Sequence, residues 1–427
     1  VKTGCGATTI ALTNNENYII AVPTTELIEN KCYPIKDAEG NVKFWKRHER
    51  RAGLSPVVDN LFGLYGNFTL ELKKTLKDYL SSVGVKKIIC TYDKIDKLME
   101  FINPKDFKLM IDEYHNFLKQ YSFRDKAING VLAHFKEFKS YCFLSATPIP
   151  NNLKPAIFND IPEYIADWNT TDEITVYPYH TNKPYMVAVK FIKTYQAKGC
   201  LNVNGIESKE AYFFINSVTE IKAILKQTQL TEDDYRIICA DNPKNRRTLE
   251  GYTISSSADA PKKFNFITSK SFEGVDFHSE TGLCFVVSNV QNRHTLVSID
   301  MDIPQIVGRI RTKSNPFRNK VVHIFNTKAT DHYTTFEEME QIVDKEVKAA
   351  QERADMLNNA KLSKEAIKQQ VNEIKKVGVE SYLSYQENKF IVNDMVAKLQ
   401  LYSYYITTVV YQSDKSLRET YAQSGIV

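Results

Sequence analysis

The sequence predicts an α/β protein: two parallel-sheet domains in tandem, then a mainly helical extension. Three observations carry this. Apolar runs of strand length alternate with helical periodicities over residues 1–168. The same alternation begins again near Ile174 and continues to residue 333. From 334 to 427 it stops, and helical patterns dominate. Alternation of this kind suits a parallel sheet, because each parallel strand reaches the next through a crossover helix.

In the first block the strand-like runs are Tyr18 to Val22, Lys87 to Cys90, Phe107 to Ile111 and Tyr141 to Leu144. Between them, Leu72, Leu76 and Leu80 share one helix face over Leu70 to Leu80, and a shorter helix is expected over Ile95 to Phe101. Lys31 to Phe68 has weak periodicity and many charges, and reads as an insertion or long loop. The second block offers strands at Ala211 to Ile215, Arg236 to Cys239, Phe264 to Ile267, Leu283 to Val287 and Val321 to Phe325. In the extension, Phe336, Met339, Val343, Val347, Ala350, Ala354 and Leu357 mark one helix face. Ser363 caps a second helix carrying Ile367, Val371 and Ile374, and Gly378 ends it. Phe390 to Tyr411 is interrupted by Asn393, Asp394, Lys398 and Gln400, so it reads as a core helix rather than a membrane span.

Composition narrows the class. Apolar residues are 43% and charged residues 25%, the balance of a chain with packed cores. The net charge of +5 permits a polyanionic partner without requiring one. The seven cysteines are scattered, odd in number and without a C-x-x-C pair, which argues against a disulfide framework and for a reducing compartment, the cytoplasm.

Asp112-Glu113-Tyr114-His115 closes the third strand. Two carboxylates at a strand's carboxyl end require a cation, and nucleotide-bound Mg2+ suits such oxygen donors. Asp112 is expected to hold Mg2+ through water, Glu113 to orient and deprotonate an attacking water, and His115 to sense the nucleotide and touch the next motif. Thr3-Gly4-Cys5-Gly6-Ala7-Thr8-Thr9 reads as a phosphate loop opening a helix, with the Thr8 hydroxyl on Mg2+. Ala7 stands where such loops carry lysine. Three readings stay open: an engineered inactivating change, a natural loss of hydrolysis, or Lys2 supplying the charge from the front of the loop, as in deviant Walker ATPases. A phosphate loop follows a strand, so residues preceding Val1 are expected.

Pro23-Thr24-Thr25 and Thr91 follow the first two strands. They put hydroxyls and amides where a nucleic-acid phosphate is held, although each alone also reads as an ordinary helix cap. Ser145-Ala146-Thr147 follows the fourth strand and reads as a link between the nucleotide and an interdomain cleft. In the second block Asn216-Ser217 lines that cleft, and Thr268 and Ser269 hold a backbone phosphate. Gly274 allows close approach, and Asp276 bonds the nucleotide ribose or an arginine. Gln305-Ile306-Val307-Gly308-Arg309-Ile310-Arg311 offers Arg309 and Arg311 as fingers for the terminal phosphate, with Gln305 beside them.

Taken together and in this order, these motifs resemble a superfamily-2 helicase of the DExH type over most of the chain before residue 334. The resemblance implies two RecA-like domains, residues 1–168 and 169–333, with ATP and Mg2+ between them and single-stranded or duplex nucleic acid, DNA favoured over RNA, crossing both. Residues 334–427 are then a helical accessory region, a place for replication-protein partners. Two departures stand out. Ala7 replaces the family lysine. Gly308-Arg309-Ile310-Arg311 is one residue shorter than the commoner pattern, and is similar to viral replication helicases of the herpesvirus origin-binding type. That points to a viral or mobile-element replication protein, in the host cytoplasm if viral. The rival expectation is a catalytically silent nucleic-acid-binding module that keeps the cleft without turnover.

Overall fold

Two all-parallel sheets organise the chain, which divides into two compact units: Val1–Asp167 with Thr334–Tyr405, and Trp168–Tyr333 with Ile406–Val427. The computed structural model describes residues 6–47, 61–166, 173–257, 259–272, 275–328, 334–386 and 388–427.

In the first unit the sheet has five strands, in the order Leu61–Leu64, Lys87–Thr91, Tyr18–Val22, Lys108–Asp112 and Ser140–Leu144. The inner strands are apolar at their centres because they are buried on both faces; Ile19, Ile20, Ile88, Ile89 and Ile111 are all fully buried. Register places Val22 beside Thr91, Ala21 beside Ile111 and Asp112 beside Leu144. The residues that follow these strands therefore share one edge of the sheet. The helix Leu70–Ser81 starts as its sequence suggests, with Thr69 Oγ1 accepting from the Leu72 amide.

The stretch expected as a loop after Lys31 contains structure. An antiparallel hairpin pairs Cys32–Lys36 with Val42–Arg47, and Leu61–Leu64 joins the main sheet. Trp45 lies against Gly63 so closely that a Cβ there would come within 2.8 Å of its ring. Charged neighbours conceal this packing in the sequence.

The second unit holds six strands in the order Tyr235–Ile238, Phe264–Ile267, Glu210–Phe214, Gly282–Ser288, Lys320–Phe325 and Thr175–His180. The last is an edge strand carrying Pro178, which is why no apolar run announces it.

Residues from 334 onward are shared between the units. The helix Phe336–Asn359 opens with a full capping box, Thr335 and Glu338 satisfying each other's amides. It packs with the helix Lys364–Val377 and a hairpin, Leu383–Gln386 with Lys389–Val392, around Ala350, Ala354, Leu357 and Phe390. The expected core helix begins later than its apolar run, at Asp394–Tyr404, after the hairpin has used Phe390 and Val392. The final segment returns to the second unit. There Val176 donates to the Val427 carbonyl at 2.7 Å, and Val427 donates to that of Ile174 at 3.0 Å.

Candidate functional site

The shared edge of the first sheet collects five of the predicted motifs. Gly6 caps the helix Ala7–Thr13 with φ of 88°, a left-handed backbone that suits glycine. The Thr8 hydroxyl then donates to Asp112 Oδ2 at 3.3 Å, across 104 residues of sequence. Burial raises the Asp112 carboxyl pKa; the Lys31 charge, the Thr8 hydroxyl, the Glu113 amide and His115 pull it back down. Lys31 belongs to no motif that the sequence reading singled out, and only the fold brings its charge to bear on Asp112.

Among the described residues no group of three or more His, Cys, Asp or Glu is arranged to hold a metal. The donors that do converge are a hydroxyl and a carboxylate. They suit Mg2+, which takes few protein oxygens and completes its shell with water and phosphate.

Glu113 adopts φ of 55°, rare for a residue with a side chain. Its carbonyl accepts from the Asn116 amide at 3.0 Å and from Asn116 Nδ2 at 3.1 Å. His115 is fully buried, with Nδ1 3.3 Å from Glu113 Oε2 and 2.8 Å from Ser145 Oγ. Ser145 Oγ in turn accepts from the Thr147 amide at 2.9 Å. His115 thus joins the carboxylate of one motif to the hydroxyl of the next, with Ala146 carried between Ser145 and Thr147.

At the same edge, Pro23 receives a hydrogen bond on its carbonyl from Arg124. Thr24 precedes the short helix Thr25–Glu29 without capping it, and its buried hydroxyl has no hydrogen-bond partner among the described residues. The ordinary N-cap reading therefore does not account for Thr24. Tyr92, directly after Thr91, sends its hydroxyl to the Asp112 carbonyl at 2.5 Å. The helix Ala7–Thr13 is tied down from below by Lys87, whose buried ammonium donates to the Ala11 and Glu16 carbonyls and to Asn14 Oδ1 at 2.6 to 2.7 Å. Burial lowers that lysine's pKa to about 8.

In the second unit, Asn216 and Ser269 lie together: Asn216 Oδ1 accepts from the Ser269 amide at 3.2 Å, while its Nδ2 donates to the His294 carbonyl at 2.7 Å. Ser217 caps the helix Val218–Thr228, accepting from the Glu220 amide. The Thr268 hydroxyl donates to the Ile238 carbonyl at 3.4 Å. Two main-chain bonds zip the later motifs together, Phe277 to the Arg309 carbonyl at 2.8 Å and Arg311 to that of Phe277 at 2.9 Å. Arg309 is buried; its guanidinium donates to the Gln305 carbonyl and Oε1 and to the Val275 carbonyl. Arg311 is half-buried and pairs with Asp276 at 2.8 Å. Lys2, Thr3, Gly4, Cys5 and Gly274 lie outside the described residues.

No protein-family profile matches the chain, and no curated protein does. Solved structures do. Saccharomyces cerevisiae Dbp5 bound to RNA and ADP BeF3 is 12% identical over 79% of this chain and 78% of its own, with a TM-score of 0.44. Mycobacterium smegmatis helicase Lhr bound to ssDNA and AMP-PNP is 10% identical over 92% of this chain and 55% of its own, with a TM-score of 0.42. These are loose likenesses of fold.

Proposed function

We propose that the chain is an ATP-dependent nucleic-acid helicase or translocase of the superfamily-2 DExH type. One observation carries it: the Thr8 hydroxyl meets the Asp112 carboxylate while His115 joins Glu113 to Ser145, so three separate motifs converge on one strand end. In this reading Thr8 and Asp112 hold nucleotide-bound Mg2+, which supplies charge neutralisation at the phosphate oxygens. Glu113 orients water and takes its proton, and His115 passes the state of the site to Ser145-Ala146-Thr147. Lys2 to Thr9 cradle the phosphates, and Gly274 and Asp276 belong to the nucleotide's second wall. Arg309 and Arg311 of the second unit are the fingers, with Gln305 beside them. Among the described residues, the partner Arg311 would leave is a half-exposed aspartate.

Pro23, Thr24, Thr25 and Thr91 grip the nucleic-acid backbone on the first unit, and Asn216, Ser217, Thr268 and Ser269 on the second. Contacts of this kind give strong salt dependence and little sequence preference. DNA is the favoured substrate. The helical residues after 334 are the place for replication-protein partners, and the cytoplasm is the compartment.

Ala7 favours a second reading, a silent nucleic-acid-binding module. ATP hydrolysis with and without single-stranded DNA or RNA, on the chain itself and its Ala7→Lys, Lys2→Ala and Glu113→Gln variants, separates the two. The motor reading expects stimulated turnover that falls roughly 100-fold or more in Glu113→Gln. Binding without turnover, in both the chain itself and Ala7→Lys, leaves only the silent module. Turnover that appears only in Ala7→Lys removes Lys2 as the substitute cation.

A further inference from the structure

The Glu113 backbone is held in an uncommon conformation, and one of the groups that holds it comes from the other side of the sheet's edge. A left-handed φ on a residue with a side chain is strained and persists only where its surroundings over-determine it. Asn116 supplies two of the restraints, through its amide and its Nδ2 on the Glu113 carbonyl. The third is Tyr92. Its hydroxyl lies 2.5 Å from the Asp112 carbonyl and 3.2 Å from that of Glu113, so one proton serves the two peptide units that aim the carboxylates. Tyr92 is fully buried, and its ring meets Phe117 edge-to-face at 5.0 Å, which fixes the direction of the hydroxyl.

The route of this contact matters. Lys87–Thr91 and Lys108–Asp112 are not neighbours; Tyr18–Val22 lies between them. The tyrosine therefore reaches across two strand spacings, about 10 Å, past the end of the strand that continues into Pro23-Thr24. Its own backbone continues directly from Thr91, whose register partner is Val22. Thr91 thus adjoins one rigid side chain, whose far end touches the main chain of Asp112 and Glu113, while the strand between them ends at Val22, beside Thr91.

We propose that Tyr92 is a positioning residue that couples nucleic-acid occupancy of the Pro23-Thr24-Thr25 and Thr91 edge to the aim of Glu113. This rests on the motor reading above and specifies how nucleic acid stimulates it. A phosphate drawn onto Thr91 shifts the start of the turn Tyr92–Lys94, and the hydroxyl transmits that shift to the Asp112-Glu113 peptide. The nucleotide's own contacts are untouched, so the effect falls on turnover rather than on ATP binding.

The test is Tyr92→Phe, which keeps the ring and its contact with Phe117 and removes only the hydroxyl, beside Phe117→Leu, which keeps the hydroxyl and loosens the packing. Steady-state ATP hydrolysis is measured with and without single-stranded DNA, together with DNA affinity. Tyr92→Phe is expected to lower DNA-stimulated kcat about tenfold, the scale of one lost hydrogen bond, with KM for ATP and affinity for DNA within twofold of the original. Phe117→Leu is expected to retain the ratio of stimulated to basal rate. An unchanged ratio in Tyr92→Phe, with turnover intact, overturns the coupling and leaves the motor reading standing. If the chain binds DNA without hydrolysing ATP, the motor reading fails separately. The coupling is then read as hydrogen exchange of the amides of residues 112–116 on adding DNA. A change in protection that Tyr92→Phe abolishes supports it, and the same change in both proteins, or none in either, overturns it.

Discussion

His323 should make the second unit acid-labile over a defined window. The side chain is fully buried on the strand Lys320–Phe325. Nε2 lies 3.0 Å from Ser288 Oγ and 3.3 Å from the Tyr411 hydroxyl, and Nδ1 meets the Tyr421 hydroxyl. No carboxylate stands among these partners to stabilise an imidazolium, and burial pushes the ring's pKa down to about 3. In the unfolded chain the same ring titrates near 6.5. Between these values the unfolded state binds a proton that the folded state refuses, so stability is full above about pH 6.5 and falls as the pH drops towards 3. At about 1.36 kcal/mol per unit, roughly 2 kcal/mol is gone at pH 5 and about 3 kcal/mol at pH 4. Hydrogen exchange of the Lys320–Phe325 amides, corrected for intrinsic rates, reads the opening free energy of this strand directly. From pH 7 to pH 5 it should fall about 2 kcal/mol further in the unmodified chain than in His323→Gln, which cannot take the proton. Carboxylates elsewhere contribute equally to both proteins and cancel. An equal pH dependence in the two would refute a neutral, unprotonatable His323.

Two other perturbations follow from named contacts. Removing the Lys31 charge in Lys31→Ala leaves burial less opposed at Asp112, so its carboxyl pKa rises. The acid limb of a pH–rate profile for ATP hydrolysis should move to higher pH, and a limb that stays in place would sever Lys31 from the site. Gly63→Ala forces a Cβ to within 2.8 Å of the Trp45 ring inside the first unit's core. It should cost about 1 to 3 kcal/mol, seen as a lower urea midpoint with a blue- or red-shifted Trp45 emission.

The sequence made the architecture legible wherever a strand is buried on both faces. Such strands must be apolar at their centres, and Lys108–Asp112 or Gly282–Ser288 could not be concealed. Elements went unread where burial is one-sided or supplied by a distant partner. Leu61–Leu64 depends on Trp45 and on pairing with Lys87–Thr91, and Thr175–His180 is an edge strand interrupted by Pro178. The hairpin at Leu383–Gln386 and Lys389–Val392 turns at Asn388, with φ of 63°, inside a run that also suits a helix. The same division applies to the candidate site. Asp112, Glu113 and His115 announce themselves because charges at a strand end are costly without a purpose. Lys31 and Arg124 are ordinary residues in ordinary company until the fold brings them to that edge, and Tyr92 stands in the sequence only as the neighbour of Thr91.

The residues after 334 show what such convergence implies for the chain as a whole. The helix Asp394–Tyr404 fastens to the first unit beside the predicted motifs: Asn393 Oδ1 accepts from the Tyr121 hydroxyl at 3.1 Å, Asp394 from the Ala156 amide at 2.6 Å, and Lys398 donates to the Asn152 carbonyl at 3.2 Å. Tyr121 begins the second helix after the acidic motif, Tyr121–His134, and residues 152 and 156 follow Ser145-Ala146-Thr147 closely. A π-helical turn at Tyr405–Val409 then carries the chain into the second unit, where Tyr411 and Tyr421 are buried against His323 and Ser288. These residues are therefore structural members of both units rather than an appendage. Ending the chain at residue 405 would leave His323 Nδ1 without the Tyr421 hydroxyl and the Val176 amide without the Val427 carbonyl, and would reduce the Ser288 hydroxyl to its contact with His323. Damage to the second unit, not loss of an accessory contact, is the first thing such a truncation would report.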